Sequence, residues 1–205
     1  MSERAARAMS QDEFLDWCQF QDVSYELVDG APVAMVGASR AHDRVVVNAL
    51  RVLGNQLDGK PCQPFTDDCA VRIPNGNTRR PDVGVDCGPF DPDALAVKSP
   101  RLVLEVLSPS TRTFDMFDKL DEYKTVAGLA HIILVDPDAP QVMHWWRDTE
   151  QTWLHARHDG LEATIVIPDL EVRLGMRDLY AGMTFRPRPR LWNGASQTTD
   201  QPDDI

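Results

Sequence analysis

Three segments decide the fold of this chain: RRPDVGVD (79–86), RLVLEVLSPST (101–111) and TFDMFDKLDEY (113–123). The first two contain short runs rich in valine and leucine, which predict central strands that are buried on both faces. Asp82 opens the first strand and Glu105 lies inside the second. An ionised carboxylate in an apolar setting is costly unless it is paired, protonated or bound to a metal, so Glu105 requires a specific partner.

The third segment has the spacing of a helix. Asp115, Lys119 and Tyr123 are four residues apart and line one face of this helix. Glu122 joins the same face, and the helix directly follows the strand of Glu105. A lysine at this place can orient a water molecule or stabilise negative charge that develops on a phosphate. The alternative is a solvated pair of Asp115 and Lys119 that contributes roughly 0.3 kcal/mol.

The chain before these segments predicts two helices and a hairpin. Ser10 and Glu13 have the spacing of a capping box, which predicts the start of a short helix. An Asp-Gly pair between two apolar runs is a strong hairpin signal, and apolar residues at helical spacing predict a second helix. The predicted bounds are 10–21 for the first helix, 25–28 and 32–36 for the hairpin strands, and 39–56 for the second helix.

The chain after these strands predicts a crossover and a meander. A helix over about 112–127 leads to a buried strand at 131–135. If this strand pairs in parallel with 102–107, the connection is a right-handed crossover. Three further strands, expected as a β-meander, follow at 142–147, 152–157 and 163–167. The predicted fold class is α/β, with a mixed central β-sheet flanked by helices and an additional C-terminal β-meander.

Length and composition predict one domain and a tail. The chain has 205 residues, enough for a single sizeable core. We place this domain at 1–186, because Pro, Ser, Thr, Asn and Asp dominate 187–205 and predict a disordered tail. No run approaches the roughly 20 apolar residues of a membrane span, and the N-terminus lacks the apolar centre of a secretory signal. A cytoplasmic protein without a membrane span is therefore expected.

The cysteine pattern predicts no disulfide bonds. The four are Cys18, Cys62, Cys69 and Cys87, and none forms a Cys-x-x-Cys pair. No cluster of histidine and cysteine has the spacing of zinc ligands. Since cytoplasmic thiols are kept reduced, we expect reduced and mostly packed cysteines and no zinc site.

Charge argues against a general nucleic-acid binder. The chain has 21 Lys plus Arg against 32 Asp plus Glu, a formal net charge of −11, whereas such binders usually show a basic balance or stripe. A local basic patch beside an acidic metal site is compatible with this total. Arginines that bracket the motifs can contact a nucleic-acid backbone or simply serve solubility. They are Arg72, Arg79, Arg80, Arg101 and Arg112.

Asp82 and Glu105 are candidates for a metal site, because carboxylates from neighbouring strand ends can hold one hard cation such as Mg²⁺. Asp82 is also compatible with an ordinary turn or strand-end acid, because Pro-Asp is common at turns. Glu105 is harder to explain as structural, because buried ionisable groups concentrate at functional sites. Strand alternation places Glu105 and Leu107 on one face, opposite Val106.

These motifs resemble a known family. PDVGVD, LEVLSPST and the D-x-x-x-K-L-x-x-Y helix are similar to the Uma-two family of restriction-endonuclease-like proteins, within the PD-(D/E)xK nuclease superfamily. The similarity extends upstream to YELVDG, which contains Glu26, and to His42, and downstream to HIILVDPD. It covers roughly residues 12 to 170, and the resemblance implies a restriction-endonuclease-like fold.

The resemblance also implies residue roles. Asp82 and Glu105 would bind Mg²⁺, or Mn²⁺ in its place, and the backbone carbonyl of Val106 could complete the site. The superfamily's usual motif has a lysine two residues after the second acid, but this chain has Leu107 there. The resemblance implies that Lys119 takes over this catalytic role from the following helix.

Four further residues are accessory candidates. The resemblance implies that Glu26 is an accessory acid, although it could instead pair with an arginine of the hairpin. His42 is either accessory or a surface residue at a helix start. Asp115 and Tyr123 share the helical face of Lys119.

The function implied by the resemblance is metal-dependent hydrolysis of DNA phosphodiester bonds by an endonuclease. Two alternatives stay open: a non-catalytic binding or regulatory module on the nuclease fold, and a metal-dependent hydrolase of another substrate. A homodimer is expected, because nucleases that cut two strands often use two sites related by two-fold symmetry. Trp145, Trp146 and Trp153 are interpreted as either a dimer face or core.

Overall fold

A computed structural model of the chain describes residues 7–108 and 115–185, with the side chains of Asp115 and Met116 left out. The predicted tail at 187–205 lies outside the described residues. The strands are β1 (Tyr25–Val28), β2 (Ala31–Ala34), β3 (Gln63–Thr66), β4 (Val71–Arg72), β5 (Thr78–Arg79), β6 (Val83–Asp86), β7 (Pro100–Val106), β8 (His131–Asp136), β9 (Gln141–Arg147), β10 (Trp153–Asp159), β11 (Thr164–Ile167) and β12 (Val172–Gly175). The helices are α1 (Gln11–Cys18), α2 (Arg40–Leu57), α3 (Asp115–Thr125) and α4 (Met176–Leu179), with a 3₁₀ turn at Pro168–Leu170.

The helix starts follow from local capping. α1 begins with the predicted capping box, in which the Ser10 side chain accepts from the backbone N–H of Glu13 and the Glu13 carboxylate accepts from that of Ser10. α2 begins at Ser39, whose side chain accepts from the backbone N–H of His42. Capping therefore fixes His42 in the first turn of α2.

A six-stranded mixed sheet in the order β10-β9-β8-β7-β6-β3 forms the centre of the fold. β7 and β8 pair in parallel, as predicted, and the other neighbours pair antiparallel. Gly84 lies where β6 passes the Phe65 ring of β3, and a Cβ there would come within 2.1 Å of that ring. Glycine in VGVD therefore permits the close approach of these two strands.

The two faces of this sheet bury separate apolar clusters. On one face, Leu104 and Val106 of β7 pack with Leu53 of α2 and with β11, β12 and α4. On the other face, Val103 packs with Tyr123 of α3. Since side chains alternate along a strand, Glu105 lies on the α3 face, as predicted.

A second sheet carries the hairpin beside α1. Its strand order is β2-β1-β5-β4. β1 pairs antiparallel with β2 through the predicted Asp29-Gly30 turn, where both residues have positive φ. β1 also pairs with β5 at Leu27 and Thr78. This pairing brings Glu26 next to the chain that leads into Asp82.

The predicted meander is partly wrong. β8, β9 and β10 are consecutive antiparallel neighbours in the central sheet, but the predicted third strand at 163–167 does not join them. It forms β11, which pairs with β12 in a separate two-stranded sheet. Ile165 and Ile167 of β11 are fully buried against the α2-side cluster, and that burial fixes the strand there rather than beside the exposed edge strand β10.

The prediction of four reduced cysteines is also wrong. Cys62 and Cys87 form a disulfide across a sequence separation of 25. They directly flank Gln63 and Asp86, which are partners in the β3–β6 ladder, so strand pairing brings them together. Cys18 and Cys69 are free and partly buried.

Two of the three tryptophans contribute to the apolar packing on the central sheet. Trp145 and Trp153 pack, partly buried, against the cluster on the α3 face, and Trp153 Nε1 donates to the carbonyl of Lys124. Within the described residues, no helix is long and apolar enough to cross a membrane.

Candidate active site

Glu105 is the centre of the candidate site. It is buried on β7 and faces α3, from which two side chains reach it. The Tyr123 hydroxyl donates to Glu105 Oε1 at 2.7 Å, and Lys119 Nζ lies 3.8 Å from the same oxygen. Both partners come from the helix after the strand, so the spacing of the third sequence segment builds this contact.

The pKa of Glu105 is raised to about 7. Burial is the largest cause, because it penalises the charged carboxylate, and the nearby acids Asp82 and Glu26 add to it. Lys119 and the Tyr123 hydroxyl act in the opposite direction. The ionised form of Glu105 is therefore disfavoured, even with Lys119 beside it.

Asp82 directly precedes β6 and lies beside the end of β7. Its Oδ2 accepts a hydrogen bond from the backbone N–H of Val106 at 2.7 Å and lies 3.2 Å from His42 Nε2. The hydrogen bond with Asp82 raises the pKa of His42 and outweighs the opposing effect of burial. His42 is thus a partner of Asp82, and its side chain is largely buried rather than a surface group at a helix start.

Lys119 is held between two carboxylates. Its Nζ lies 2.8 Å from Glu26 Oε1, in addition to its approach to Glu105. Burial disfavours the charged form, but Glu105 and Glu26 outweigh burial and raise the pKa of Lys119. The lysine is therefore a fixed positive charge at neutral pH.

Glu26 pairs with two cations, and its predicted arginine partner lies on β5 rather than in the hairpin. It contacts Lys119, and it also pairs with an arginine, since Arg79 Nη1 lies 3.1 Å from Glu26 Oε2. Arg79 in turn donates from Nε to Glu122 Oε2 at 2.6 Å. Glu26 Oε1 also accepts from the backbone N–H of Arg80. The structure thus joins β1, β5 and α3 through a buried chain of alternating charges.

Sequence reasoning missed the structural role of Arg79 and Glu122. Arg79 was considered as a contact to a nucleic-acid backbone, but its side chain is buried in this ion-pair chain. Glu122 further accepts from the side chains of Asn75 and Asn77 at the preceding turn. The burial of Arg79 depends on the β1–β5 pairing, which no local pattern shows.

Three of the other arginines near the sequence motifs are also paired within the protein. The Arg80 guanidinium donates to the carbonyls of Tyr25, Asp67 and Asp68. Arg72 and Arg101 form ion pairs with Asp12 and Asp169. Arg112 lies outside the described residues.

The last two accessory candidates have different outcomes. Tyr123 joins the site as a buried donor, and burial together with Glu105 raises its pKa well above the usual range, so the hydroxyl keeps its proton. Asp115 begins α3, but its side chain lies outside the described residues.

The donor set fits a hard cation. The carboxylates of Asp82 and Glu105 and the backbone carbonyl of Val106 offer the oxygen ligands that Mg²⁺ prefers. Burial is the largest cause of the raised pKa of Glu105 and the nearby acids add to it, and a bound divalent cation would favour the ionised carboxylate. Among the described residues, no group of three or more His, Cys, Asp or Glu side chains could hold a metal ion. Side chains alone therefore supply at most a two-acid site.

Comparisons with known proteins identify relatives of this chain. Two proteins of Synechocystis sp. match: slr1290 is 28% identical over 86% of this chain and 94% of its own length, and sll1609 is 29% identical over 68% and 81%. A crystal structure of a "putative nuclease belonging to DUF820" from Anabaena variabilis superposes with a TM-score of 0.65 at 18% identity, over 83% of this chain and 97% of that one. The likeness shows a shared fold.

The family assignment rests on a match that spans most of the chain. The family model described as Uma2, "Putative restriction endonuclease", matches residues 11–177, which include α1, the six-stranded sheet and every described residue of the candidate site. The chain belongs to the Uma2 family of restriction-endonuclease-like proteins.

Proposed function

We propose that the protein is a metal-dependent endonuclease that hydrolyses the phosphodiester bonds of DNA. The observation that carries the proposal is the convergence of Asp82, Glu105 and Lys119. Lys119 Nζ lies 3.8 Å from Glu105 Oε1, and Asp82 is hydrogen-bonded to the residue directly after Glu105. Two acids and one lysine meet at the ends of adjacent strands, an arrangement suited to a divalent cation and an anionic substrate.

Asp82, Glu105 and the Val106 carbonyl are the proposed ligands of Mg²⁺, or of Mn²⁺ in its place. A bound divalent ion polarises a phosphate and lowers the pKa of a coordinated water. The protein's own contribution is electrostatic and geometric. Lys119, held by Glu26, stabilises negative charge on the attacked phosphate, and Tyr123 orients the Glu105 carboxylate through its hydrogen bond.

The test uses a labelled DNA duplex and an RNA of the same sequence, incubated with the full chain and Mg²⁺ or Mn²⁺. We expect the DNA to be cut by the wild type. Asp82→Asn, Glu105→Gln and Lys119→Ala should each lower the rate by about 10²–10³-fold, the usual effect of removing one electrostatic catalytic group. Lys124→Ala is the matched control on α3, because Lys124 pairs with the exposed Asp121 on the surface. Loss of cutting in the control equal to that in Lys119→Ala would contradict the assigned role.

A non-catalytic module on the same fold is the second candidate. The formal net charge of −11 disfavours tight binding to a polyanion. Arg79 and Arg80 are also buried in internal contacts rather than presented to a ligand. This candidate predicts Mn²⁺ binding that Glu105→Gln abolishes, without cleavage of DNA or RNA. The cleavage assay separates the two candidates, and calorimetric titration of Mn²⁺, run beside it, tests the metal site that both share.

A homodimer belongs to the proposal as well. A two-fold axis gives a dimer of this chain two active sites, one for each strand of a duplex. Light scattering after gel filtration measures the mass directly. A mass of about twice the 23.0 kDa chain supports the dimer, and a monomer that still cuts both strands contradicts it.

A further inference from the structure

A second site lies on the face of the central sheet opposite Glu105. His131 of β8 alternates with Ile132, which packs on the α3 face, so His131 points to the other face. His144 shares its face with the fully buried Val142 of the α2-side cluster. These histidines border a cavity of about 670 Å³, within the usual range for small-molecule sites. Its lining includes Leu129, His144, Trp146, His158, Val166 and Asp169.

A chain of hydrogen bonds fixes the protonation of the cavity floor. Asp169 Oδ1 lies 2.7 Å from His131 Nε2, and His131 Nδ1 lies 3.0 Å from His144 Nε2. Burial lowers the pKa of His144 to about 3, so this imidazole is neutral at physiological pH. Because the Asp169 carboxylate accepts, His131 carries its proton on Nε2 and accepts on Nδ1, which makes His144 the donor from Nε2. His144 therefore retains Nδ1 as an acceptor.

The third histidine has an unused polar atom. His158 Nε2 is buried and has no hydrogen-bond partner among the described residues. A buried polar nitrogen without a partner costs free energy, so such groups in native proteins call for a specific explanation. The ring centroid of His158 lies 6.3 Å from that of His144, and Trp146 lies 5.2 Å from His144 on the other side. The cavity thus has an aromatic wall with one unsatisfied ring nitrogen, His158 Nε2.

The charges of the cavity cancel, because its lining holds two arginines and two aspartates. Arg101 Nε lies 2.8 Å from Asp169 Oδ2, and Asp169 also holds His131. Burial lowers the pKa of His131, which favours its neutral form. A neutral ligand therefore suits the site better than an anion or a cation. Within the described residues, no set of three ligating side chains could hold a metal here.

We propose that this cavity binds a neutral, planar nitrogen heterocycle of the size of a purine nucleoside. The flat ring would stack on the wall formed by Trp146 and the imidazoles, as bases stack on aromatic side chains. An amino or ring N–H group would donate to His144, and a polar ring edge would satisfy His158 Nε2 once the imidazole turns toward the cavity. Purines present both kinds of group on one planar ring. The site lies across the sheet from the candidate active site, so binding does not depend on the nuclease proposal.

The test is calorimetric titration of the full chain with adenosine and guanosine, with ribose as the non-aromatic control. We expect saturable binding of at least one nucleoside at one site per chain and no binding of ribose. Trp146→Leu and His158→Leu should each weaken binding at least tenfold. His155→Leu is the matched control, because His155 lies on the same strand but stacks with Trp145 on the other face, and it should change affinity less than twofold.

Two further variants test whether the nucleoside binds in this cavity and whether binding is independent of the candidate active site. Val166→Trp fills the cavity from a position whose side chain is 46% exposed, so it should fold and lose binding. Glu105→Gln should leave nucleoside binding unchanged, which separates this site from the candidate active site. The proposal is overturned if neither nucleoside binds the wild type, if Val166→Trp binds as well as the wild type, or if Glu105→Gln abolishes binding.

Discussion

Lys119 Nζ lies 2.8 Å from Glu26 Oε1, which links the helix after β7 to the N-terminal hairpin. Glu26 belongs to β1, far from the motif of Asp82 and Glu105 in sequence, yet it holds the lysine of the site. In this chain the position two residues after the second acid is Leu107. The ion pair with Glu26 holds a lysine of α3 beside Glu105, although this lysine comes from a different position in the chain.

Glu26→Gln should destabilise the protein and lower its activity. The substitution removes the charge that Lys119 and Arg79 share, and both cations are largely buried. Loss of one partner of a buried ion pair typically costs about 3 kcal/mol. We expect a fall of this size in the free energy of unfolding, measured by urea denaturation.

The control for this prediction is Glu162→Gln. Glu162 pairs with Arg177 at the surface, where both side chains are mostly exposed, so the change should stay within about 0.5 kcal/mol. Equal stability of the two variants would contradict a buried role for Glu26.

Tyr123→Phe should leave Glu105 without its strongest hydrogen bond. Both groups are buried and their contact is 2.7 Å, and removing a donor to a buried charged acceptor costs about 1–3 kcal/mol. Because the hydroxyl lowers the pKa of Glu105, the variant should titrate Glu105 at higher pH. Infrared difference spectra of the carboxyl band measure this shift, and an unchanged titration would contradict the geometry.

The histidine chain predicts a pH dependence of stability. Burial lowers the pKa of His144 from 6.5 to about 3, so the folded state binds fewer protons than the unfolded state between these values. The stabilising contribution is therefore complete above about pH 6.5 and is lost as pH falls, by up to about 1.4 kcal/mol per pH unit for one group. His144→Gln should flatten this slope in denaturation curves from pH 7 to pH 4. His155→Gln, a substitution at an exposed position of β10, should retain this slope.

The disulfide predicts two titratable thiols rather than four. Denatured but unreduced protein should react with thiol reagent only at Cys18 and Cys69. Replacing Cys62 and Cys87 together by serine should lower the free energy of unfolding by about 2–4 kcal/mol. Cys69→Ser serves as the control for loss of a single partly buried thiol. Four reactive thiols in the unreduced protein would contradict the bond.

Local pattern predicted the elements that build the site. The apolar run around Glu105, the helix with Lys119 and Tyr123, and the parallel partner strand at 131–135 were all visible, because each carries its period within a few residues. Spacing alone thus placed Lys119 and Tyr123 on one face of the helix that follows the Glu105 strand, and the structure shows that this face lies over Glu105.

The contacts that the sequence could not predict depend on pairing between strands that are distant in the chain. The burial of Arg79 depends on β5 lying beside β1, and the Cys62–Cys87 bond depends on β3 lying beside β6. The cavity collects His131, His144 and His158 from three strands and Asp169 from a later turn. Such contacts arise from strand order, and no single stretch of sequence encodes it.

Cleavage of supercoiled plasmid DNA by the full chain in Mg²⁺, with Glu105→Gln assayed in parallel, tests the metal-dependent nuclease proposal. We expect nicked and linear products for the wild type, none with the metal chelated, and a loss of at least about 100-fold in the variant, provided that its thermal unfolding matches the wild type. An inert wild type over a range of DNA and of Mg²⁺ and Mn²⁺ concentrations, or undiminished cutting by Glu105→Gln, would contradict it.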